Sequence, residues 1–249
     1  MIDLSRRFVL RSALAAPLAL TSAALSAETL EEQCKRELLS TLDFPQLAKY
    51  RADNAQLIAS KARVDVVFMG DSITEGWKDK RPAFFTSRRI DRGISGQTTP
   101  QMVLRMMADV VDLKPRAVHI MAGTNDIAGN TGPMTAQMTE DNFRAMADIA
   151  SRHAIKLLLA PIPPAASFPW APQVQARPRI AEINAWLERF AHRTGAVWVD
   201  YWRVLDDGTG AMKRGLAIDG VHPNEAGYDA MATVIEPILH RMFAPPRHA

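Results

Sequence analysis

The chain has 249 residues, of which 47% are hydrophobic and 23% charged. That is enough apolar material for one α/β domain with a sizeable core, and too little length for two ordinary enzyme domains. The formal charge of +3 falls to +1 when residues 1–27, with Arg6, Arg7, Arg11 and Asp3, are set aside, so the remainder lacks the clustered basic footprint of a nucleic-acid binder. A single cysteine, Cys34, excludes an intrachain disulfide, a thiol redox pair and a cysteine-built zinc site.

Residues 1–27 are predicted to be an export signal. Arg6, Arg7 and Arg11 precede or flank the apolar run Ala13 to Leu20, which gives way to small residues ending at Ser26-Ala27. Cleavage falls after Ala27, or alternatively after Ala24. The run is too short for a good membrane span, and an uncleaved anchor is the rival reading. Ser5-Arg6-Arg7-Phe8-Val9-Leu10 resembles a twin-arginine signal, against the alternative that the arginines supply the positive end of an ordinary secretory signal. The expected location is periplasmic or secreted, with residues 28–249 forming the domain and no stable membrane span remaining.

From Glu28 to Ser60 the pattern is helical, with a break near Asp43-Phe44-Pro45, and predicts two helices leading into the domain. Short apolar runs then predict buried strands over Val64 to Met69, Ala117 to Met121, Ile155 to Ala160 and Ala196 to Val199, with a weaker strand around Ile90. Helical length and periodicity fall between them, over Gln101 to Val111, Glu140 to His153, Ile180 to Arg193 and Glu225 to Met242. Alternation of this kind predicts a parallel sheet covered by helices on both faces, with functional residues outside the carboxyl ends of the strands. A proline-rich stretch from Pro161 to Pro178 follows one strand and carries Phe168 and Trp170. It either walls a substrate cleft or is a rigid surface crossover.

Four segments follow predicted strands or come near them: Gly70-Asp71-Ser72-Ile73-Thr74, Gly93-Ile94-Ser95-Gly96, Gly123-Thr124-Asn125-Asp126 and Asp219-Gly220-Val221-His222-Pro223. A serine hydroxyl becomes a nucleophile when a base of near-neutral pKa takes its proton and a carboxylate holds that base in the right tautomer. Ser72, His222 and Asp219 supply those parts, and a turn can join Asp219 to His222 three residues on. Acyl transfer also needs donors for the carbonyl oxygen as it gains charge. The N–H of Ser72 at a strand-to-helix turn, the backbone at Gly96 and the side-chain amide of Asn125 are the candidates.

In this order the blocks resemble the SGNH (GDSL-type) hydrolase family, whose named residues correspond to Ser72, Gly96, Asn125 and His222, over roughly Val64 to Leu239. The resemblance implies a three-layer α/β/α domain with a five-stranded parallel, flavodoxin-like sheet. It also implies ester hydrolysis through an acyl-serine without cofactor or metal, by a triad of Ser72, Asp219 and His222 and an oxyanion hole of Ser72, Gly96 and Asn125. The block spacing is similar to that of short-acyl esterases and of members resembling platelet-activating-factor acetylhydrolase. The expected partner is therefore a small-molecule, carbohydrate or lipid ester, with no nucleic acid and with the oligomeric state left open.

Many relatives carry Asn near the position of Asp91, a departure expected to alter a supporting hydrogen bond. The chain has no Gly-x-Ser-x-Gly, the elbow signature of the α/β-hydrolases. Trp77, Phe168 and Trp170 are candidate substrate-wall residues, and Asp71 and Asp126 are expected to orient loops. The other histidines, His119, His153, His192, His240 and His248, are expected to serve packing, helix ends or solvent. The rival readings are a metalloenzyme using Asp71, Asp126, Asp219 and His222, a lysophospholipase or thioesterase, and a catalytically silent binding protein on the same scaffold.

Overall fold

Every predicted apolar run forms a strand, as does the polar segment around Ile90: β1 Val66–Gly70, β2 Arg89–Gly93, β3 Ala117–Met121, β4 Lys156–Leu159 and β5 Val197–Trp198. The structure, a computed structural model, describes residues 41–244, all within the second of the chain's two compact units, Leu39–Ala249. The export signal, Cys34, most of the first lead-in helix and His248 lie outside the described residues.

The strands form one sheet in the order β2-β1-β3-β4-β5, and every pairing is parallel. The expected α/β fold with five parallel strands is therefore present. All residues of β1 and β3 are buried, which is why they read as unbroken apolar runs rather than as alternating ones. The sheet grows in one direction from β1 to β2 and in the other from β1 to β3. In such folds the crevice beyond the strand ends at this reversal is where ligands bind.

Helix α1 is Arg51–Ala59, α2 Ser72–Lys80, α3 Thr99–Asp109, α4 Thr124–Ala128, α5 Ala136–Arg152, α6 Ala176–Thr194, α7 Trp202–Leu205 and α8 Glu225–Phe243. Among the longer ones, α3, α5 and α6 contact one another in sequence, and α2 contacts α8, as expected for helices distributed over two faces of a sheet. Local chemistry sets several starts. Asp71 caps α2 by accepting from the Ile73 N–H, Thr98 and Gln101 form a capping box at α3, and Asn224 accepts from the Gly227 N–H at α8. Among the described residues, no helix is long and apolar enough to cross a membrane.

The lead-in breaks in turns after Leu42, where the Asp43 carboxylate accepts from the N–H groups of Leu47 and Ala48. Helix α1 then brings Asn54 over the edge strand β2, and this contact is polar. Arg92, fully buried, donates to Asn54 Oδ1 from Nε at 2.9 Å and from Nη2 at 2.7 Å, and its guanidinium lies 4.5 Å from the Tyr50 ring. Asn54 in turn donates to Asp109 Oδ1 at 2.7 Å, and Arg105 donates to Asp109 Oδ2 at 3.1 Å. A buried, mutually satisfied polar layer thus sits where an apolar stripe would otherwise be expected.

Candidate active site at the sheet reversal

Ser72 is the first residue of α2 directly after β1, so its N–H has no partner within the helix. Its Oγ lies 2.9 Å from His222 Nε2. On the other side of the imidazole, Nδ1 is 2.7 Å from Asp219 Oδ2, which fixes the tautomer with Nδ1 protonated and Nε2 free to accept from the serine. The second carboxylate oxygen, Oδ1, accepts from the N–H groups of Val221 and His222 at 3.0 and 2.8 Å. One oxygen therefore builds the turn and the other orients the base. Gly220 adopts φ +85° within that turn, and the Ile218 N–H donates to the His222 carbonyl at 2.9 Å, closing the loop. Burial alone would raise the Asp219 pKa, but the N–H donors from His222 and Val221 and the imidazole itself outweigh it and hold the carboxyl below its ordinary value.

The loop after β2 carries Gly96 at φ +78°, a conformation suited to glycine. Its neighbour Ser95 is fixed by Glu75 on α2, whose Oε2 accepts from the Ser95 N–H at 2.7 Å and from its hydroxyl at 2.5 Å; Lys49 holds the other carboxylate oxygen. Gly93 is required for a different reason, because a Cβ there would stand 2.1 Å from the Glu75 nitrogen. Asn125, buried on α4 after β3, donates from Nδ2 to the Gln97 carbonyl at 3.0 Å and approaches Asp71 Oδ2 at 3.5 Å. That second contact is at the limit of hydrogen bonding, so one amide hydrogen is only loosely engaged. Its Oδ1 accepts from Asn130 Nδ2 at 2.9 Å.

The two aspartates beside the named residues hold loops. Asp71 Oδ1 accepts from the Ile73 N–H at 2.9 Å, and burial raises its pKa to about 6. Asp126 accepts from the Thr99 N–H at 3.0 Å, from the Thr99 hydroxyl and from Thr139 Oγ1. Among the described residues, no three His, Cys, Asp or Glu side chains are grouped to hold a metal ion. His119 is wholly buried on β3, with its imidazole 3.1 Å from the Tyr201 hydroxyl. Burial pushes its pKa down to about 3, keeping it neutral.

The structure separates the three candidate wall residues. Trp170, 42% exposed, has its ring centroid 5.7 Å from that of His222 and borders the triad. Phe168 does not line the cleft: it is fully buried and stacks against Trp170 with centroids 5.4 Å apart. Trp77 is also corrected. Five residues after Ser72, it faces away from the serine around the helix and lies wholly buried between Phe84 and Tyr228, at 4.5 and 5.6 Å. The proline-rich stretch is pinned to α6, where Asn184 accepts from the Ile162 N–H at 2.7 Å and donates to its carbonyl at 2.9 Å. It is thus a fixed wall carrying one exposed ring. Three supporting residues escaped the sequence reading: Glu75, Asn130 and Tyr50.

Asp91, where many relatives carry Asn, accepts from the Gly93 N–H at 3.0 Å and from the Tyr50 hydroxyl at 3.2 Å. Burial raises its pKa to about 6, above the ordinary 3.8. The folded chain therefore holds this proton more tightly than the unfolded chain does. The stability it contributes is complete below about pH 4 and is lost as pH rises through 6. Asp91→Asn keeps the acceptor and removes the ionisation. Its stability relative to wild type is expected to improve by about 2 kcal/mol between pH 4 and pH 7.5, as read from urea unfolding at both values. A difference independent of pH would show that Asp91 has the same pKa in the folded and the unfolded chain.

Comparison with known proteins bears on the family and the fold. The model of the GDSL-like lipase/acylhydrolase family matches residues 68–230, a span that contains all four blocks. A GDSL-like lipase from Bacteroides thetaiotaomicron VPI-5482 shares 38% identity over 80% of this chain and 100% of its own, with a TM-score of 0.75. A Bacteroides fragilis NCTC 9343 protein assigned as an acylhydrolase also shares 38% identity, over 80% of this chain and 97% of its own, with the same TM-score. The uncharacterized lipoprotein YqeF of Bacillus subtilis (strain 168) is 34% identical over 113 residues, 38% of this chain and 46% of that protein, so the chain spans about half the length of this curated relative. With the serine, glycine, asparagine and histidine blocks converging at one sheet reversal and the family model covering them, the chain belongs to the GDSL-like lipase/acylhydrolase family.

Proposed function

We propose that the protein is a serine esterase that hydrolyses carboxylic esters with short acyl groups through an acyl-serine intermediate. The observation that carries this reading is the unbroken chain Ser72 Oγ, His222 Nε2, His222 Nδ1, Asp219 Oδ2, with gaps of 2.9 and 2.7 Å. As Ser72 Oγ attacks the carbonyl carbon, its proton passes to His222 Nε2, and Asp219 stabilises the imidazolium. The carbonyl oxygen gains charge against the Ser72 N–H, the Gly96 N–H and the Asn125 amide. His222 then gives its proton to the departing alkoxide, leaving acyl-Ser72 and free alcohol. Water enters, His222 takes one of its protons, hydroxide adds to the acyl carbon, and collapse releases the acid as the proton returns to Ser72 Oγ.

One feature favours a short acyl group. A long chain needs a continuous apolar wall worth about 0.8 kcal/mol per buried methylene. Of the exposed large apolar side chains, Trp170 lies against His222, and Ile218 sits on the loop bonded to it. These two make a small rim. The twin-arginine-like start of the chain and the name of the lipoprotein relative favour work in the cell envelope or outside it, on acetylated sugars or envelope lipids.

The test is hydrolysis of p-nitrophenyl acetate, butyrate, octanoate and palmitate by wild type and Ser72→Ala, with fluorophosphonate labelling alongside. Cleavage falling with chain length, and loss of both cleavage and label in the variant, is the expected result. Preference for octanoate or palmitate would replace the short-acyl reading with lipid hydrolysis. A folded wild type that neither labels nor cleaves would make the protein a silent binder on this scaffold.

A further inference from the structure

Asn130 is exposed at the start of the loop after α4, and the residues its side chain meets all belong to the site. Its Nδ2 donates to Asn125 Oδ1 at 2.9 Å and to the Gly96 carbonyl at 3.2 Å, while its Oδ1 accepts from Trp170 Nε1 at 3.2 Å. Only one orientation of the amide satisfies all three contacts. Flipped, it would set its oxygen against two acceptor oxygens and its hydrogens against an indole N–H, which can only donate. The same logic then fixes Asn125. With Oδ1 taken by Asn130, and Nδ2 facing the Gln97 carbonyl and Asp71, the Asn125 amide can turn only its donors toward the reacting carbonyl. Bonding at the Gly96 carbonyl restrains the Gly96–Gln97 peptide, next to the Ser95–Gly96 peptide that carries the donor N–H, in a loop whose glycine sits at φ +78°. The loop that presents Asn130 is itself tied to α4, since the Asn130 N–H donates to the Asn125 carbonyl at 3.0 Å.

We infer that Asn130 is the positioning residue of the oxyanion hole, holding Gly96 through its carbonyl, locking the Asn125 amide in donor orientation and linking both to Trp170 beside the catalytic histidine. The inference rests on the esterase reading. Trp170 thereby serves the site twice, since its ring forms the rim while its N–H holds Asn130 in register. Substrate seated against the ring would thus bear on the hole through one hydrogen bond.

The experiment uses the full-length protein with p-nitrophenyl acetate and the variants Asn130→Ala, Asn130→Asp and Trp170→Phe. Asn130→Asp is nearly isosteric and keeps an acceptor for the indole but loses both donations, so it tests the idea even if the alanine variant folds poorly. End-point labelling with fluorophosphonate counts competent sites, and kcat is expressed per labelled site. Expected is a fall in kcat of about 10- to 100-fold in both Asn130 variants, with KM within about 3-fold of wild type. Trp170→Phe keeps an aromatic ring at the position and drops the N–H. It is expected to lower kcat about 3-fold in the wild-type background and not at all in Asn130→Ala. A kcat per labelled site within twofold of wild type in Asn130→Asp would overturn the inference and leave the esterase reading intact. A wild type that neither labels nor cleaves would overturn both.

Discussion

Replacing His222 by alanine is expected to lower kcat/KM about ten-thousand-fold or more, and adding Ser72→Ala to that variant is expected to lower it no further. The two side chains act as one device. Without the imidazole the Ser72 hydroxyl keeps its proton, and without the hydroxyl the imidazole has nothing to activate. Residual turnover should come from the donors at Gly96, Asn125 and the Ser72 N–H, which neither change disturbs. The measurement is a cycle of the single and double variants on p-nitrophenyl acetate. Losses that multiply would show that Ser72 and His222 act independently, which the 2.9 Å contact between them argues against.

The largest loss of stability is expected from Arg105→Ala, at about 3–5 kcal/mol in urea unfolding. Arg105 is fully buried and donates to Gln97 Oε1 at 2.6 Å, to the Arg92 carbonyl at 2.8 Å, to the Gly70 carbonyl at 2.9 Å and to Asp109 at 3.1 Å. Burial pushes its pKa down, with Asp109 acting against that shift. Removal leaves the buried Asp109 carboxylate short of a cation and two strand-end carbonyls without that donor, which costs more than the pair contributes when intact. Because Gly70 and Gln97 flank Ser72 and Asn125, the same variant should lose activity at temperatures where it remains folded. A loss below about 1 kcal/mol would mean that water or a shifted side chain replaces the guanidinium.

How far the sequence could be read depended on what each segment packs against. Strand β3 lies where its apolar run predicted, and α8 differs by one residue at its end, because both present apolar side chains to the core. Helix α3 starts two residues before its expected Gln101, at Thr99; the Thr98 and Gln101 capping box was the available signal. The edge strand β2 read weakly because Asp91 and Arg92 are polar. They are buried all the same, against Tyr50 and Asn54 rather than against an apolar layer, and periodicity has no means of marking such a surface. Helices α4 and α7, of five and four residues, are too short to show a period.

At the site, the four blocks were legible because each is a local string at a strand end. Glu75 was not, since a glutamate three residues into a helix looks like a solvated face until its bonds to Ser95 are seen. Asn130 follows a glycine and reads as an ordinary turn residue; its partners Gly96 and Trp170 are 34 and 40 positions away. Trp77 misled for the opposite reason, being close to Ser72 in sequence but on the core side of the helix.

The loop that carries the proposed base also sets an order of events in biosynthesis. All five strands precede Val199, and the proposed nucleophile and oxyanion donors are complete by Asn125, whereas the proposed base and its carboxylate arrive with Asp219 to His222, 150 positions after the serine. A nascent chain can thus complete its sheet with the serine in place and still be chemically inert. Competence is conferred by the final loop and by the helix α8 that seats it, so the ester-cleaving apparatus is armed last.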